Sequence, residues 1–295
     1  MFSPGPVCIN GEITNLKDSY EKVSIFSPSF QYGLTIFEGI RHYKESKLPH
    51  LLNEHIERLL QSCKLIGFKN FPSFKDIERD ILKLIKLKEV DSDIYIKYIV
   101  GFLGNGSWHS SDKPDRLCFY YNVNSVFRNN KPTFKKAKIT SFRRISQNNM
   151  SPKIKCGANY INSRFGYLDV NSGLKNNEQF LPIFLDDRGF ISESSGSTIF
   201  LVEGNKIVTP SIESSILPSI TRNYLLKIFP KKLIEYEVLE KNIDRWDIYK
   251  ADIVFTVGTN IEINFISQID YIDYQENLKV IDKIFDISRE YSINL

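Results

Sequence analysis

Two periods of apolar residues divide this 295-residue chain. In "NEHIERLLQSCKLIGF", 53–68, the residues Ile56, Leu59, Leu60, Cys63 and Ile66 recur at helical spacing, with Asn53 placed to cap. A second helix is predicted over 73–88, capped by Ser73, with acids in its first turn. Around these helices the period shortens. "CINGEIT" sets Asn10-Gly11 between two short extended pieces, the signal of a primed-turn hairpin, and "YGLTIFEGIRHYK" continues in extended form. "DIYIKYIVGFL" and "RLCFYYNVN" read as strands, so 51–122 is helices followed by strands, an α+β pattern.

The polar, basic, Pro-containing "NSVFRNNKPTFKK" then breaks the pattern. It predicts a smaller domain over 1–123, a linker over 124–136 and a larger domain over 137–295. In the second half, turns at Asp187-Arg188-Gly189 and Gly204-Asn205 separate alternating apolar runs. Helices are expected over 160–173, 219–229, 240–248 and about 277–291. The rest predicts a strand-rich barrel or sandwich with peripheral helices.

Composition narrows the class. Hydrophobic residues make up 42% and charged residues 25%, values of a soluble protein with a sizeable core. The net charge is only +4, and lysines alternate with acids, as in "KDIERDILKLIKLKEVD", so nothing points to nucleic acid. Four scattered cysteines form no CxxC pair and suit a reduced, cytoplasmic setting. The four histidines add no zinc spacing, so no metal is expected. The start "MFSPGPVCINGE" lacks the apolar run of a signal peptide, and no apolar stretch is long enough to cross a bilayer.

Candidate chemistry centres on "SPKIKCGANYINSRFG", 151–166. Lys155 precedes the small residues Cys156-Gly157-Ala158, which would leave space for a ligand at its amine. Read alone, it is more often a strand-end lysine facing water. A Schiff-base lysine is the sharper alternative. The aldehyde cofactor pyridoxal phosphate would also need an anion site, an acid at its ring nitrogen and a donor to its phenolic oxygen. Arg58 in "HIERL" and the helix start "LPSIT", with the N–H groups of Ser219, Ile220 and Thr221, are candidates for the phosphate. Glu193, among small and apolar residues in "GFISESSGSTIF", is the candidate acid, and Tyr160 the candidate donor.

In this order the segments resemble the class IV, or fold type IV, pyridoxal-phosphate aminotransferases, and most closely the branched-chain amino-acid aminotransferases. "QYGLTIFEGIRHY", "NEHIERLLQSCK", "KCGANY", "ISESSGSTIFLV", "LPSITR" and "GTNIEI" carry the resemblance across nearly the whole chain. It implies an α+β, two-domain fold: a smaller α/β domain, a larger pseudo-barrel domain and the cofactor in the cleft between them. It implies Lys155 as Schiff-base lysine and proton shuttle. Arg58, Ser219, Ile220, Thr221 and Thr259 would bind phosphate, Glu193 the ring nitrogen and Tyr160 the phenolic oxygen. Tyr32, Phe37, Arg41, Tyr95, Lys97 and Asn260 would lie towards the substrate. The partners implied are an amino acid and a 2-oxo acid, with a second copy of the chain.

Two positions depart from the pattern. Tyr95-Ile96-Lys97 stands where the family usually has Tyr-x-Arg, and Asn260 in "GTNIEI" where it usually has alanine. Lysine keeps the charge but loses the planar fork that grips a side-chain carboxylate. The altered pocket keeps an aminodeoxychorismate lyase or a D-amino-acid transaminase of the same fold as the alternative. A non-catalytic relic is a third reading, opposed by the joint presence of Lys155, Glu193 and Arg58.

Overall fold

The computed structural model describes residues 6–87, 92–174, 178–274 and 277–293. Its backbone divides into two units, Met1–Asn124 with Ile154–Ala158, and Ser125–Lys153 with Asn159–Asn294.

The first unit opens with the expected hairpin. Strands β1 (Val7–Ile9) and β2 (Glu12–Thr14) pair antiparallel across Asn10 and Gly11, both with the positive φ that a primed turn requires. Short helices α1 (Leu16–Tyr20) and α2 (Pro28–Tyr32) follow, then strand β3 (Thr35–His42). The extended reading of "YGLTIFEGIRHYK" is thus corrected at its start. Ser27 caps α2 through Phe30 N–H, and Gly33 ends it in the left-handed region.

Helix α3 (Leu52–Leu65) begins before Asn53, after Leu51 at φ +51°, and no side chain caps it. Helix α4 (Phe74–Ile85) has the predicted Ser73 cap, doubled by Asp76 into a capping box. The expected last residue, Lys88, lies outside the described residues. Strands β4 (Ile94–Gly101) and β5 (Asp115–Asn122) complete a five-stranded sheet of order β2-β1-β5-β4-β3. One face packs against the helices through Ile36, Ile40, Ile96, Tyr98 and Val100, with Ile56, Leu59, Ile77 and Ile81.

The second unit holds strands β6 (Phe134–Arg143), helix α5 (Tyr160–Asn171), β7 (Phe180–Leu185), β8 (Ile191–Ser194), β9 (Thr198–Glu203) and β10 (Lys206–Pro210). Helix α6 (Ile220–Lys232), β11 (Glu237–Lys241), α7 (Arg245–Lys250), β12 (Ile253–Gly258), β13 (Glu262–Ile269), β14 (Ile272–Asp273) and α8 (Leu278–Ile293) follow. The strand path β9-β12-β13-β6-β7-β8 returns to β9 through Glu193 opposite Thr198, closing a ring. This is the predicted barrel, filled by Ile183, Ile199, Leu201, Val254 and Ile266.

Two expectations change here. The helix placed over 240–248 is strand β11 up to Lys241, paired parallel with β10. Helix α7 starts only after Asp244, which caps it with Asp247. The stretch read as linker ends inside β6, whose Phe134 pairs with Phe265. Among the described residues no helix is long and apolar enough to cross a membrane.

Candidate active site

Lys155 belongs to the first unit because its backbone extends that unit's sheet. β3 is the edge strand, and the 154–158 stretch lies along it. Phe37 N–H donates to Lys155 O at 3.0 Å, and Gly157 N–H to Thr35 O at 3.0 Å. Ile36 and Cys156 form an antiparallel bridge between these bonds. On the other side, Lys155 N–H donates to Ser62 Oγ of α3 at 3.4 Å. The small residues thus serve backbone approach rather than open space. A Cβ on Gly157 would lie 2.5 Å from Thr35 Oγ1, and Cys156 is buried in the core. The Lys155 ammonium is left 4.9 Å from the Phe37 ring centroid.

Side chains alternate across a strand, so β3 presents two chemistries. Towards the helices it carries Ile36, Glu38 and Ile40, all fully buried or nearly so. Glu38 there receives Arg58 Nε and Nη2, at 2.7 and 2.8 Å, and His55 Nδ1 at 2.8 Å. Burial alone would raise the Glu38 pKa. The Arg58 charge and the bonds from His55 and Arg58 outweigh it and hold the carboxyl well below the usual range. Burial lowers the His55 pKa, partly opposed by Glu38, so the ring is neutral and donates through Nδ1.

The opposite face carries Phe37, Gly39 and Arg41, paired with Ile99, Lys97 and Tyr95 of β4. A Cβ on Gly39 would lie 1.6 Å from Tyr95 Oη, so any larger residue there would force the Tyr95 ring to move. Lys97 Nζ lies 3.5 Å from the Phe37 ring centroid, so two lysines share one aromatic ring. Burial, with the Lys155 charge added, lowers the Lys97 pKa to about 8. Arg41 is buried, 5.9 Å from the Tyr43 ring. Tyr32 is not on this face. It ends α2 and is 50% exposed.

In the second unit, Glu193 lies at the strand junction that closes the barrel and is buried. Arg144 Nε donates to its Oε1 at 2.7 Å, and Leu217 N–H to its Oε2 at 3.1 Å. Arg144 Nη1 also donates to Asn162 Oδ1 at 3.0 Å, tying the pair to α5. Tyr160, 39% exposed, is the first residue of α5. At α6 the Ser219 hydroxyl accepts from Arg222 N–H and caps the helix. The N–H groups of Ile220 and Thr221 have no intrahelical acceptor. Thr259 and the exposed Asn260 follow β12 directly.

Sequence reasoning missed Arg144, Glu38 and His55. Glu38 did leave a trace: an acid between Ile36 and Ile40 at strand spacing needs a buried cation opposite, and His55 and Arg58 share one helix face. Arg144 had no such local signal, because its partner is 49 residues away.

The chain belongs to the class IV aminotransferase family, whose pattern it matches over residues 35–269. It is 30% identical over 281 residues to the branched-chain-amino-acid aminotransferase of Escherichia coli K12, covering 92% of this chain and 86% of that one. The branched-chain aminotransferase of Thermoproteus uzoniensis, solved with norvaline, superposes with a TM-score of 0.88 at 26% identity, covering 99% of this chain and 96% of that one. The Thermobaculum terrenum enzyme in its pyridoxal-phosphate form gives 0.85 at 28% identity, with coverage of 99% and 94%. The fold expected from the sequence is that of these enzymes.

Proposed function

We propose that this chain is a pyridoxal-phosphate-dependent aminotransferase of branched-chain L-amino acids, with 2-oxoglutarate or another 2-oxo acid as acceptor. The observation that carries the reading is the placement of Lys155 along the β3 edge, which fixes its amine beside Phe37. The residues fit the cofactor by their chemistry. Arg58 has a guanidinium that Glu38 holds by its Nε/Nη2 edge. Ile220 and Thr221 begin a helix, and Glu193 is a buried carboxylate beside a cation.

When bound, pyridoxal phosphate supplies an aldehyde carbon for amines and a ring that takes up an electron pair. Lys155 would hold it covalently, and its released amine would take the proton from the substrate α-carbon. Arg58, the N–H groups of Ile220 and Thr221, and the Ser219 and Thr259 hydroxyls would bind its phosphate. Glu193, kept anionic beside Arg144, would accept a hydrogen bond from the protonated ring nitrogen, and Tyr160 would donate to the phenolic oxygen. Phe37, Arg41, Tyr95 and Lys97, with Tyr32 and Asn260, would shape the side-chain pocket. We place the enzyme in the cytoplasm as a homodimer or larger homo-oligomer. Exposed Ile25, Phe26 and Phe30 in the first unit support a covered surface.

The test is a half-reaction. Single amino acids are mixed with the loaded enzyme, and its visible absorbance is followed. Loss of absorbance with leucine, isoleucine or valine supports the reading. A response only to D-amino acids or to aminodeoxychorismate would replace it with the lyase or D-specific alternative.

A further inference from the structure

Glu38 is the one charged residue of the "FEGIR" segment whose side chain faces the helices, and nothing about transamination itself asks for an acid there. A carboxylate buried completely inside an apolar core is costly, and an apolar pair of equal volume is often more stable than a buried ion pair. The geometry of this pair is specific. Both carboxylate oxygens are engaged by one edge of the Arg58 fork, at 2.7 and 2.8 Å, and His55 Nδ1 reaches Oε2 at 2.8 Å. Such a two-point contact fixes the plane of the guanidinium and therefore the direction of its remaining N–H bonds. An arginine on a helix otherwise has wide rotamer freedom, which an anion would have to remove on binding.

We propose that Glu38 is a positioning residue that aims the Arg58 guanidinium at the phosphate of the cofactor, with His55 bonded to the same carboxylate to hold it in place. The inference rests on the phosphate role of Arg58 proposed above. It makes a prediction opposite in sign to that of net charge. Glu38 is anionic and His55 neutral, so the network cancels the Arg58 charge and offers an anion direction rather than attraction. Removing the Glu38 charge should strengthen phosphate binding if charge rules and weaken it if aim rules.

The experiment titrates apo-protein with pyridoxal phosphate and with pyridoxal, which lacks the phosphate, and compares the two dissociation constants within each variant. A general folding defect lowers both affinities and leaves their ratio unchanged. In Glu38→Gln, the amide nitrogen must face a guanidinium N–H, and the preference for the phosphorylated form should fall about ten- to a hundred-fold. His55→Leu, which keeps the Glu38–Arg58 contact but removes the third bond, should lower it less, by about three- to ten-fold. It serves alone if Glu38→Gln fails to fold. An unchanged or increased preference in these variants overturns the proposal. Arg58→Ala is run alongside. If Arg58→Ala keeps the full preference, the phosphate role of Arg58 fails. If it loses the preference while Glu38→Gln keeps it, only the positioning role of Glu38 fails.

Discussion

Arg144 Nε donates to Glu193 Oε1 at 2.7 Å with both side chains buried, so the acid proposed for the ring nitrogen has a protein cation of its own. Deleting one partner of a buried pair strands the other. Arg144→Met should therefore destabilise the second unit by about 3–5 kcal/mol, measured by urea unfolding of the apo-protein. A midpoint equal to wild type would show that Glu193 finds another partner. Glu193→Gln removes the counter-charge of the same buried pair and should cost stability as well. Its distinguishing effect should be slower removal of the substrate α-proton in single-turnover experiments, because an amide stabilises a protonated ring nitrogen poorly.

Lys155→Ala should bind the cofactor without the yellow colour of the wild-type protein and lose turnover by orders of magnitude. Absorbance spectra before and after dialysis check this. If the variant keeps the visible band, another lysine is the attachment point, and Lys97, which shares the Phe37 ring, is the first to examine.

Gly157→Ala tests how the lysine stretch is held. A Cβ there would come within 2.5 Å of Thr35 Oγ1, so the stretch or the threonine must shift. The expected cost is about 1–3 kcal/mol, with slower attachment of cofactor to Lys155. Adding Thr35→Ala removes the clashing hydroxyl and should restore both. If the double variant is no better than the single one, the obstruction lies elsewhere.

Lys97 should make donor choice depend on pH. Its pKa is lowered to about 8 by burial and by the Lys155 charge, with Glu38 opposing. Below that pH it is an ammonium that attracts the side-chain carboxylate of glutamate. Above it, Lys97 is uncharged. The ratio of kcat/KM for glutamate to that for leucine should therefore fall as pH rises through 8. The α-amino groups of the two substrates titrate alike and cancel in the ratio.

Even when charged, the lysine lacks a bidentate grip, so glutamate should trail leucine, isoleucine and valine. Lys97→Arg should raise the glutamate ratio by about 1–3 kcal/mol and make it flat with pH. Glutamate as the best donor for the wild type, or an equal shift for both donors in Lys97→Arg, contradicts this account.

Local sequence was sufficient wherever one segment contains its own physical reasons. The Asn10-Gly11 turn, the Ser73 cap and the α3 apolar stripe each need only neighbours within a few residues, and each stands where it was expected. The start of α3 and the end of β11 differ from the expectation, each for its own reason. Asn53 looks like a cap, but backbone at Leu51 starts the helix first. "EVLEK" is short enough for either state, and only pairing with β10 makes it a strand.

By itself the sequence determined the α+β composition, the hairpin, the capped helices and the order of segments that marks the family. Tertiary structure alone decided that the 154–158 stretch leaves its sequence neighbours and extends the first unit's sheet. That choice depends on the unpaired edge of β3, more than a hundred residues earlier. It also decided that Glu38 meets Arg58 while Glu193 meets Arg144. All four residues are visible in the sequence. Which acid takes which guanidinium follows from the strand face each acid occupies, and burial leaves each only the cation packed against it.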